Sequence, residues 1–173
     1  MNPPKRGNLS SGKSRDFTVE KNISMANFET ISKKGLLSKD KERSLYDRMV
    51  KRLGIRTSGP EQAAKSLSGG NQQKVVIAKW LGIEPDVLIL DEPTRGVDVG
   101  AKKEIYSIIN ELAAKGVAIL MISSELPEVI GMADRVLVMH EGKLTADVPK
   151  QEMTQETIMH YATGGGKLEA EIR

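Results

Sequence analysis

Apolar residues at helical spacing stand out in the segment from residue 39 to residue 53. They recur every three or four positions there and would form one continuous stripe on a helix. The stripe consists of Leu45, Tyr46, Met49, Val50 and Leu53. Gly54, Gly59 and Pro60 follow and interrupt the pattern. The segment 17–66 is therefore predicted to be helical and mostly polar.

Beyond residue 67, short apolar runs alternate with helical patterns. Val87–Leu90 and Val117–Ile122 are continuously apolar, which is typical of strands buried on both faces of a sheet. Helices are predicted at 71–81, ending at Gly82, and at 99–115, ending at Gly116. The remaining predicted elements are a short helix near 127–132, a strand at 135–139, a tight turn at 140–143, a strand at 144–148 and a helix at 153–162. This order of strands and helices predicts an α/β fold with a parallel sheet.

Composition narrows the class of protein. A chain of 173 residues can form one domain with a hydrophobic core, and it has no cysteine for a disulfide or a thiolate metal site. His140 and His160 have no third partner in the sequence, so neither indicates a metal site. The longest apolar run is too short to cross a bilayer, and no apolar stretch follows Met1–Arg6 as it would in a signal peptide. We therefore expect a cytoplasmic protein.

A basic isoelectric point of about 9.0 raises the question of nucleic-acid binding. The chain holds 26 basic and 23 acidic residues, and four of the basic ones lie within residues 1–15, which hold no acid. Without that segment the charges nearly balance. Aromatic residues make up only 3% of the chain and offer no stacking platform for single strands. Nucleic acid is therefore not an expected partner.

Ser68, Gly69 and Gly70 precede the helix predicted at 71–81. Ser68 is a favourable N-cap residue, and glycines leave backbone amides accessible because they lack Cβ atoms. A helix N-terminus with accessible amides and the positive end of the helix dipole can bind phosphate. The same tripeptide also occurs at ordinary capped helix starts, so a second feature is needed to decide between the two interpretations.

Asp91 and Glu92 supply that feature, roughly twenty residues further along. They follow the apolar run Val87–Leu90, and α/β sheets bind ligands at the carboxyl ends of their strands. Asp91 would hold Mg²⁺ through water, and Glu92 would orient or deprotonate an attacking water. The alternative interpretation is an acidic strand end that leads into a turn at Pro93.

These residues resemble the motifs of ATP-binding-cassette (ABC) ATPases. Leu67–Gln73 resembles the signature motif, Val87–Glu92 resembles the Walker B motif, and Gly96–Asp98 occupies the place of the D-loop. The sequences of Asn71–Lys74 and Asp91–Lys102 narrow the resemblance. They are similar to the second, carboxy-terminal cassette of bacterial monosaccharide importers of the ribose and galactoside type.

The resemblance implies an ATP-binding subunit that couples ATP hydrolysis, with Mg²⁺, to sugar import. Its implied partners are membrane permease subunits and a partner ABC cassette, and its implied place is the cytoplasmic face of the bacterial inner membrane. In that family ATP is sandwiched between two cassettes. Ser68, Gly69, Gly70 and Gln73 would then contact the γ-phosphate of ATP held by the partner cassette, and Asp98 would also belong to the ATP-binding residues.

One position departs from the family's pattern. The switch histidine is expected after the strand Val117–Ile122, and this chain has Ser124 there. A hydroxyl group cannot replace an imidazole that contacts the γ-phosphate. The substitution resembles the degenerate second cassette of this importer class. It implies that Glu92 and Ser124 belong to the degenerate composite site, and that the competent site is the one to which Ser68 contributes.

Residues 7–14 satisfy the phosphate-binding pattern G-x-x-x-x-G-K-S. A working P-loop lies between a buried strand and a long helix. Met1–Arg6 contains two prolines and two charged residues and is not expected to be such a strand. We therefore interpret the match as accidental, and the resemblance implies a cassette truncated before or within the P-loop region.

The expected organisation has four parts: a disordered basic tail at 1–16, a helical subdomain with the signature at 17–82, the C-terminal part of the α/β ATPase core at 83–163, and a flexible tail at 164–173. An alternative function is that of a catalytically silent truncated cassette acting only as an interaction module. A chromosome-maintenance or DNA-repair ATPase would need long coiled-coil heptads, which the sequence lacks. A non-catalytic regulatory module has no positive support in the sequence.

Overall fold

The computed structural model describes residues 6–8, 16–33 and 35–165, and these fall into two compact units that are divided between Ile122 and Ser123. Helices and strands occur in both units, so the predicted α/β class is confirmed. The predicted division at residue 82 separates functional parts of a cassette and stays a prediction. The tail predicted at 164–173 lies mostly outside the described residues. No helix in the described part of the chain has the length and apolar character needed to span a membrane.

The first unit contains helices, a small parallel sheet and a short antiparallel hairpin. Its α-helices are α1 (Val19–Ser24), α2 (Phe28–Ile31), α3 (Lys39–Leu53), α4 (Gly69–Leu81) and α5 (Val99–Ala114). Its strands are β1 (Arg6–Asn8), β2 (Ser32–Lys33), β3 (Leu36–Leu37), β4 (Val87–Asp91) and β5 (Ala118–Ile122). The parallel sheet has the order β1-β4-β5. The antiparallel hairpin β2–β3 departs from the helix predicted over 17–66, because Gly35 (φ 81°) lets the chain turn there.

Strand β1 departs, at residues 6–8, from the disordered tail predicted at 1–16; residues 1–5, most of the segment not expected to form a strand, lie outside the described residues. The strand pairs in parallel with Val87–Ile89 of β4. A β-ladder uses backbone N–H and C=O groups, so a charged side chain does not prevent the pairing. Gly7 and Asn8, the first two residues of the phosphate-binding pattern, thus lie within a strand. Residues 9–14 of that pattern lie outside the described residues.

Helix α3 begins at Lys39 and ends at Leu53, as the apolar stripe predicts. Its buried residues are Leu45, Tyr46, Met49 and Leu53, while Val50 is half-buried. Gly54 ends the helix at φ 58°, a left-handed conformation that glycine adopts without strain. Helix α5 likewise buries the residues predicted for its core face: Ile105, Ile108, Ile109 and Leu112.

Gly82 ends helix α4, as predicted, but packing rather than a left-handed cap requires a glycine there. Its φ is −62°, which any residue can adopt. A Cβ atom at this position would lie 2.3 Å from Oδ1 of Asn27, whose side chain is buried. The side chain of Asn27 also donates a hydrogen bond to the carbonyl of Lys79 (2.9 Å). The end of α4 is therefore fixed against the segment between α1 and α2.

The two long strands of the parallel sheet are less buried than predicted. Leu88 and Leu90 of β4 are fully buried, but its other face is only half-buried. In β5, Leu120 is 47% exposed and Ile122 is 49% exposed. The prediction that both strands are buried on both faces is therefore wrong for this structure. The physical reason is that a face is buried only where another element packs over it, and within the described residues the faces of β5 are covered only in part.

The second unit is built around an antiparallel hairpin. Its elements are α6 (Leu126–Met132), β6 (Arg135–His140), β7 (Lys143–Pro149) and α7 (Gln155–Ala162). Strand β6, predicted to join the parallel sheet, pairs antiparallel with β7 instead. Glu141 (φ 48°) and Gly142 (φ 75°) form the predicted tight turn and reverse the chain. The core of this unit consists of Val138, Ala146, Val148, Met153 and Ile158.

Candidate nucleotide-contacting site

Ser68 stands directly before helix α4, in the N-cap position. Its backbone is extended (φ −60°, ψ 155°), but its side chain makes no capping hydrogen bond. The prediction that Ser68 acts as an N-cap therefore holds for its position and not for its hydroxyl group. The hydroxyl oxygen instead accepts a hydrogen bond from Nδ2 of Asn71, one helical turn along, at 2.9 Å. Ser68 and Gly69 are both exposed.

The signature glycines bring the start of α4 against the start of α5. A Cβ atom on Gly70, which is buried, would lie 2.4 Å from the Cβ of Ala101. A Cβ atom on Gly69 would lie 3.2 Å from the carbonyl oxygen of Gly96. Gly70 therefore permits a close contact between two helices, and the exposed Gly69 lies close to the backbone of the loop before α5.

Asn71 connects Ser68 to the segment that follows α3. Its Oδ1 accepts a hydrogen bond from the backbone N–H of Arg56 at 2.8 Å, and its Nδ2 donates to Ser68. Asn71 is half-buried, while Arg56 is exposed. The position of the Ser68 side chain therefore depends on a backbone group from outside α4.

Lys74, one turn further along α4, is a buried cation with two partners. Its Nζ donates to the carbonyl of Gly54 at 3.0 Å and lies 2.8 Å from Oε2 of Glu104 on α5. Only 5% of the Lys74 side chain is exposed. The hydrogen bond and charge of Lys74, assisted by Arg56, lower the pKa of Glu104 below its usual range. Lys74 thereby ties α4 to both α3 and α5.

The segment Gly96–Asp98 adjoins the signature loop within the same unit. Asp98 is the N-cap residue of α5, and its Oδ1 accepts a hydrogen bond from the backbone N–H of Ala101 at 3.0 Å. The added Cβ at Gly70 would also lie 3.6 Å from Cγ1 of Val97. Gln73, the last predicted contact residue, is half-buried on α4. The structure thus brings Gly69 and Gly70 together with the segment around Asp98.

Asp91 and Glu92 lie at the carboxyl end of β4. Asp91, the last residue of the strand, is exposed. Glu92 has φ 47°, a left-handed conformation that costs a non-glycine residue about 1–3 kcal/mol. The backbone N–H of Glu92 donates a hydrogen bond to the carbonyl of Ile122 at 2.8 Å. Because Ile122 is the last residue of β5, this bond connects Glu92, just after β4, to the end of β5. Such strain concentrates at functional sites.

Ser124 belongs to the second unit, where it is exposed. The preceding Ser123 donates a hydrogen bond from its hydroxyl group to the buried carboxylate of Glu128, and its Oγ accepts from the backbone N–H of Glu125 at 3.1 Å. These contacts fix the turn that carries Ser124 within its own unit.

A comparison with protein families decides the identity of this architecture. The sequence profile of the family described as ABC transporter matches residues 6–95, just over half of the chain. The chain belongs to the ABC transporter family.

Curated members of the ABC transporter family resemble this chain closely. The ribose import ATP-binding protein RbsA of Shouchella clausii (strain KSM-K16) is 66% identical over 152 residues, which are 88% of this chain and 30% of that protein. The ribose import ATP-binding protein RbsA of Bacillus subtilis (strain 168) is 57% identical over 150 residues, which are 87% of this chain and 30% of that protein. The chain thus spans about 30% of the length of these relatives.

Solved structures of ABC transporters share the fold. A metal-chelate type ABC transporter in an inward-facing conformation superposes with a TM-score of 0.73 at 18% identity, over 91% of this chain and 61% of the other. A dimeric ATP-binding cassette in a post-hydrolysis state, bound to ADP and Pi, superposes with a TM-score of 0.72 at 19% identity, over 85% of this chain and 63% of the other. At these identities the likeness establishes the ABC cassette fold.

Sequence reasoning assigned no supporting contacts to four polar residues around the signature loop of this ABC transporter chain. They are Arg56, Asn71, Lys74 and Glu104. A signal existed for two of them. Asn71 follows Ser68 at the three-residue spacing at which side chains at a helix start reach one another. Lys74 interrupts the apolar face formed by Val75, Ile77 and Ala78, and a lysine in such a place is buried only when it is paired.

Proposed function

We propose that this chain couples ATP hydrolysis to sugar import, and that its loop Ser68–Gly70 contacts the γ-phosphate of ATP held by a partner cassette. Family membership supports ATP as the substrate. The names of the curated relatives, ribose import ATP-binding proteins, support sugar import. The proposed partners are a second ABC cassette and membrane permease subunits, at the cytoplasmic face of the bacterial inner membrane.

The observation that carries the proposal is the exposed start of α4. Ser68 and Gly69 are accessible, and among the described residues no acceptor is found for the backbone N–H groups of Gly69 and Gly70. Helix α4 has 13 residues, so its dipole adds positive potential at this end. A phosphate carries only acceptor oxygens when it is fully ionised, so it would satisfy these donors.

The family also implies Mg²⁺, and the residues present fit it. Mg²⁺ prefers oxygen ligands and usually combines one or two carboxylates with water and phosphate oxygens. Asp91 offers one exposed carboxylate of this kind at the end of β4. Among the described residues no group of three or more acidic or histidine side chains forms a metal cage. Mg²⁺ would neutralise charge on the phosphates, and Asp91 would hold it through water.

A catalytically silent interaction module is the second candidate. Ser124 supports it, because this position lacks the imidazole that the family's active cassettes use. The two candidates differ in one respect, namely whether changes in the signature loop alter the rate of ATP hydrolysis in an assembled subunit.

The test uses a hybrid subunit, in which this chain replaces the matched 152-residue segment of the Shouchella clausii protein. Ser68→Ala removes the hydroxyl donor and should lower the rate of ATP hydrolysis about 10²-fold, as the loss of one transition-state donor does elsewhere. Ser107→Ala, which changes an exposed serine on α5, is the matched control and should keep the rate. Equal rates for both variants would reject the proposed contact.

A further inference from the structure

The hydrogen bonds of Asn71 determine which way its side-chain amide is oriented. One end faces the backbone N–H of Arg56 at 2.8 Å, and the other faces the hydroxyl oxygen of Ser68 at 2.9 Å. A backbone N–H can only donate, so the atom that faces Arg56 must be the amide oxygen. The atom that faces Ser68 is therefore the NH₂ group, which can only donate.

This orientation fixes the role of the Ser68 hydroxyl group. A serine hydroxyl has one hydrogen and two lone pairs. Because Ser68 Oγ accepts from Asn71, its own hydrogen remains available to donate. The hydroxyl makes no capping bond to α4 that would compete with this arrangement. Ser68 is exposed, so its hydrogen can reach a group outside the chain.

We propose that Asn71 is a positioning residue that makes Ser68 a hydrogen-bond donor to the γ-phosphate. This inference rests on the proposed function, in which the signature loop meets the phosphate of ATP. Ionised phosphate oxygens accept hydrogen bonds, so they need a donor opposite them. A serine that donated its hydrogen to a neighbouring acceptor would present lone pairs to the phosphate and repel it. Asn71 prevents that arrangement without touching the nucleotide itself.

The buried Lys74 holds the partner that orients Asn71. Arg56 lies two residues after Gly54, whose carbonyl accepts a hydrogen bond from Lys74 Nζ at 3.0 Å. Lys74 is paired at the same time with Glu104 at 2.8 Å, and Glu104 lies 3.6 Å from the guanidinium of Arg56. Both the backbone before Arg56 and its side chain are thereby anchored. The segment that sets the direction of the Asn71 amide is therefore fixed in place by its connections to α4 and α5.

A purely structural role for Asn71 makes a different prediction. In that case Asn71 would only fasten the start of α4 to the segment after α3, and its loss would act independently of the Ser68 hydroxyl group. If Asn71 acts through Ser68, its loss matters only while the hydroxyl is present. A double-mutant cycle separates the two roles, because it measures whether the effects of two substitutions depend on each other.

The experiment measures ATP hydrolysis at saturating MgATP in the hybrid subunit. Asn71→Ala should lower kcat about tenfold when Ser68 is present, the effect of losing one orienting hydrogen bond. In the Ser68→Ala background the same substitution should change kcat by less than about twofold, since no hydroxyl remains to be oriented. An equal loss in both backgrounds would overturn the inference and leave the proposed function standing. An unchanged rate in Ser68→Ala alone would overturn both.

Asn71→Asp tests the direction of the hydrogen bond. A carboxylate can still accept from the Arg56 N–H, but it can only accept from Ser68, so the hydroxyl would donate to it and turn away from the phosphate. We expect kcat to fall further than in Asn71→Ala. In the isolated 173-residue chain, hydrogen exchange measured by NMR should show the Arg56 amide still protected, so that misfolding is ruled out as the cause. Wild-type activity in Asn71→Asp, with that amide protected, would overturn the inference.

Discussion

At the scale of single residues, Gly70 is required for packing as much as for contact with a ligand. Its missing side chain lets α4 approach Ala101 so closely that an added Cβ would lie 2.4 Å from the Cβ of that residue. Real Cβ atoms do not approach to this distance, so either the helices separate or the side chain distorts. The sequence predicts a glycine here for amide access, and the structure adds the helix contact.

Gly70→Ala should lower the free energy of unfolding by about 1–3 kcal/mol, the usual cost of overpacking. The matched control is Gly131→Ala, a helical glycine in α6 with nothing within 4 Å of an added Cβ. That substitution should leave the stability unchanged or raise it, because alanine favours a helix. Chemical denaturation of the isolated chain, followed by circular dichroism, measures both.

Ala101→Gly provides the rescue. In that background the methyl group of an alanine at position 70 finds the space vacated on α5, so Gly70→Ala should cost nothing further. If the cost of Gly70→Ala is the same with and without Ala101→Gly, the contact between these two residues is not its cause.

Single residues also show which features of the site can be predicted from the sequence. The positions of Ser68, Gly69 and Gly70 at a helix start follow from local rules about caps and glycine. The partners of Asn71 and Lys74 do not, because they come from α3, α5 and the segment after α3, which are distant in sequence. A lysine on an apolar helix face indicates that a partner exists, but only the fold identifies Glu104 and the carbonyl of Gly54.

At the scale of elements, Lys74 joins three helices. It lies on α4, its Nζ donates to the carbonyl at the end of α3, and it pairs with Glu104 on α5. A buried lysine without partners is strongly destabilising, so Lys74 favours the arrangement in which the three helices pack together. The carboxylate of Glu104 also interacts with Arg56 and, unfavourably, with Asp98.

Glu104 makes the packing of these helices sensitive to acid. Its pKa is lowered in the folded chain, chiefly by the hydrogen bond from Lys74, so it adds stability above the unfolded value of about 4.3 and loses it as the pH falls through the folded value. Glu104→Gln should therefore lower the midpoint of thermal unfolding at pH 7, and the gap to the wild type should narrow at pH 3. Circular dichroism at the two pH values measures the gap.

Glu111→Gln, which changes an exposed carboxylate on the same helix, is the control for this experiment. It should stay close to the wild type at both pH values, as isolated surface charges do. A gap for Glu104→Gln that is the same at pH 3 and pH 7 would show that the charge of Glu104 does not contribute through Lys74.

Among elements, those with strong local patterns were predictable. The stripe on α3 gives its bounds at Lys39 and Leu53, and the glycines after α4 and α5 mark their ends. The pairing partner of a strand cannot be predicted in this way, because a short apolar run does not specify which strand will pair with it. The pairing of β6 with β7 and the presence of β1 depend on which strands come to lie side by side, and the exposure of β5 depends on which elements pack over its faces.

At the scale of the whole molecule, the residues with candidate chemistry fall into two groups. The signature loop and the segment Gly96–Asp98 pack together in the first unit, whereas Ser124 lies in the second unit. Residues 16–18, which follow the phosphate-binding pattern, do not continue as an α-helix. Strand β1, in contrast, meets the expectation that a P-loop follows a strand, and residues 9–14 lie outside the described residues, so the interpretation of the match as accidental stays a prediction. The contact proposed to work on ATP is that of the signature loop.

The most direct test compares Gly69→Asp with Glu92→Gln in the hybrid subunit, by single-turnover hydrolysis at saturating MgATP. Gly69→Asp puts a negative charge where the backbone amides would meet the γ-phosphate, and it should lower the rate at least about 10²–10³-fold. Glu92→Gln should lower it far less, because Glu92 would act in the other composite site, where Ser124 stands in the place of the switch histidine. Unfolding of the isolated variants, followed by the fluorescence of Trp80, the only tryptophan, verifies that both fold. A loss of rate in Glu92→Gln as large as that in Gly69→Asp would contradict the account, since the Walker B carboxylate of this chain would then be the catalytic one.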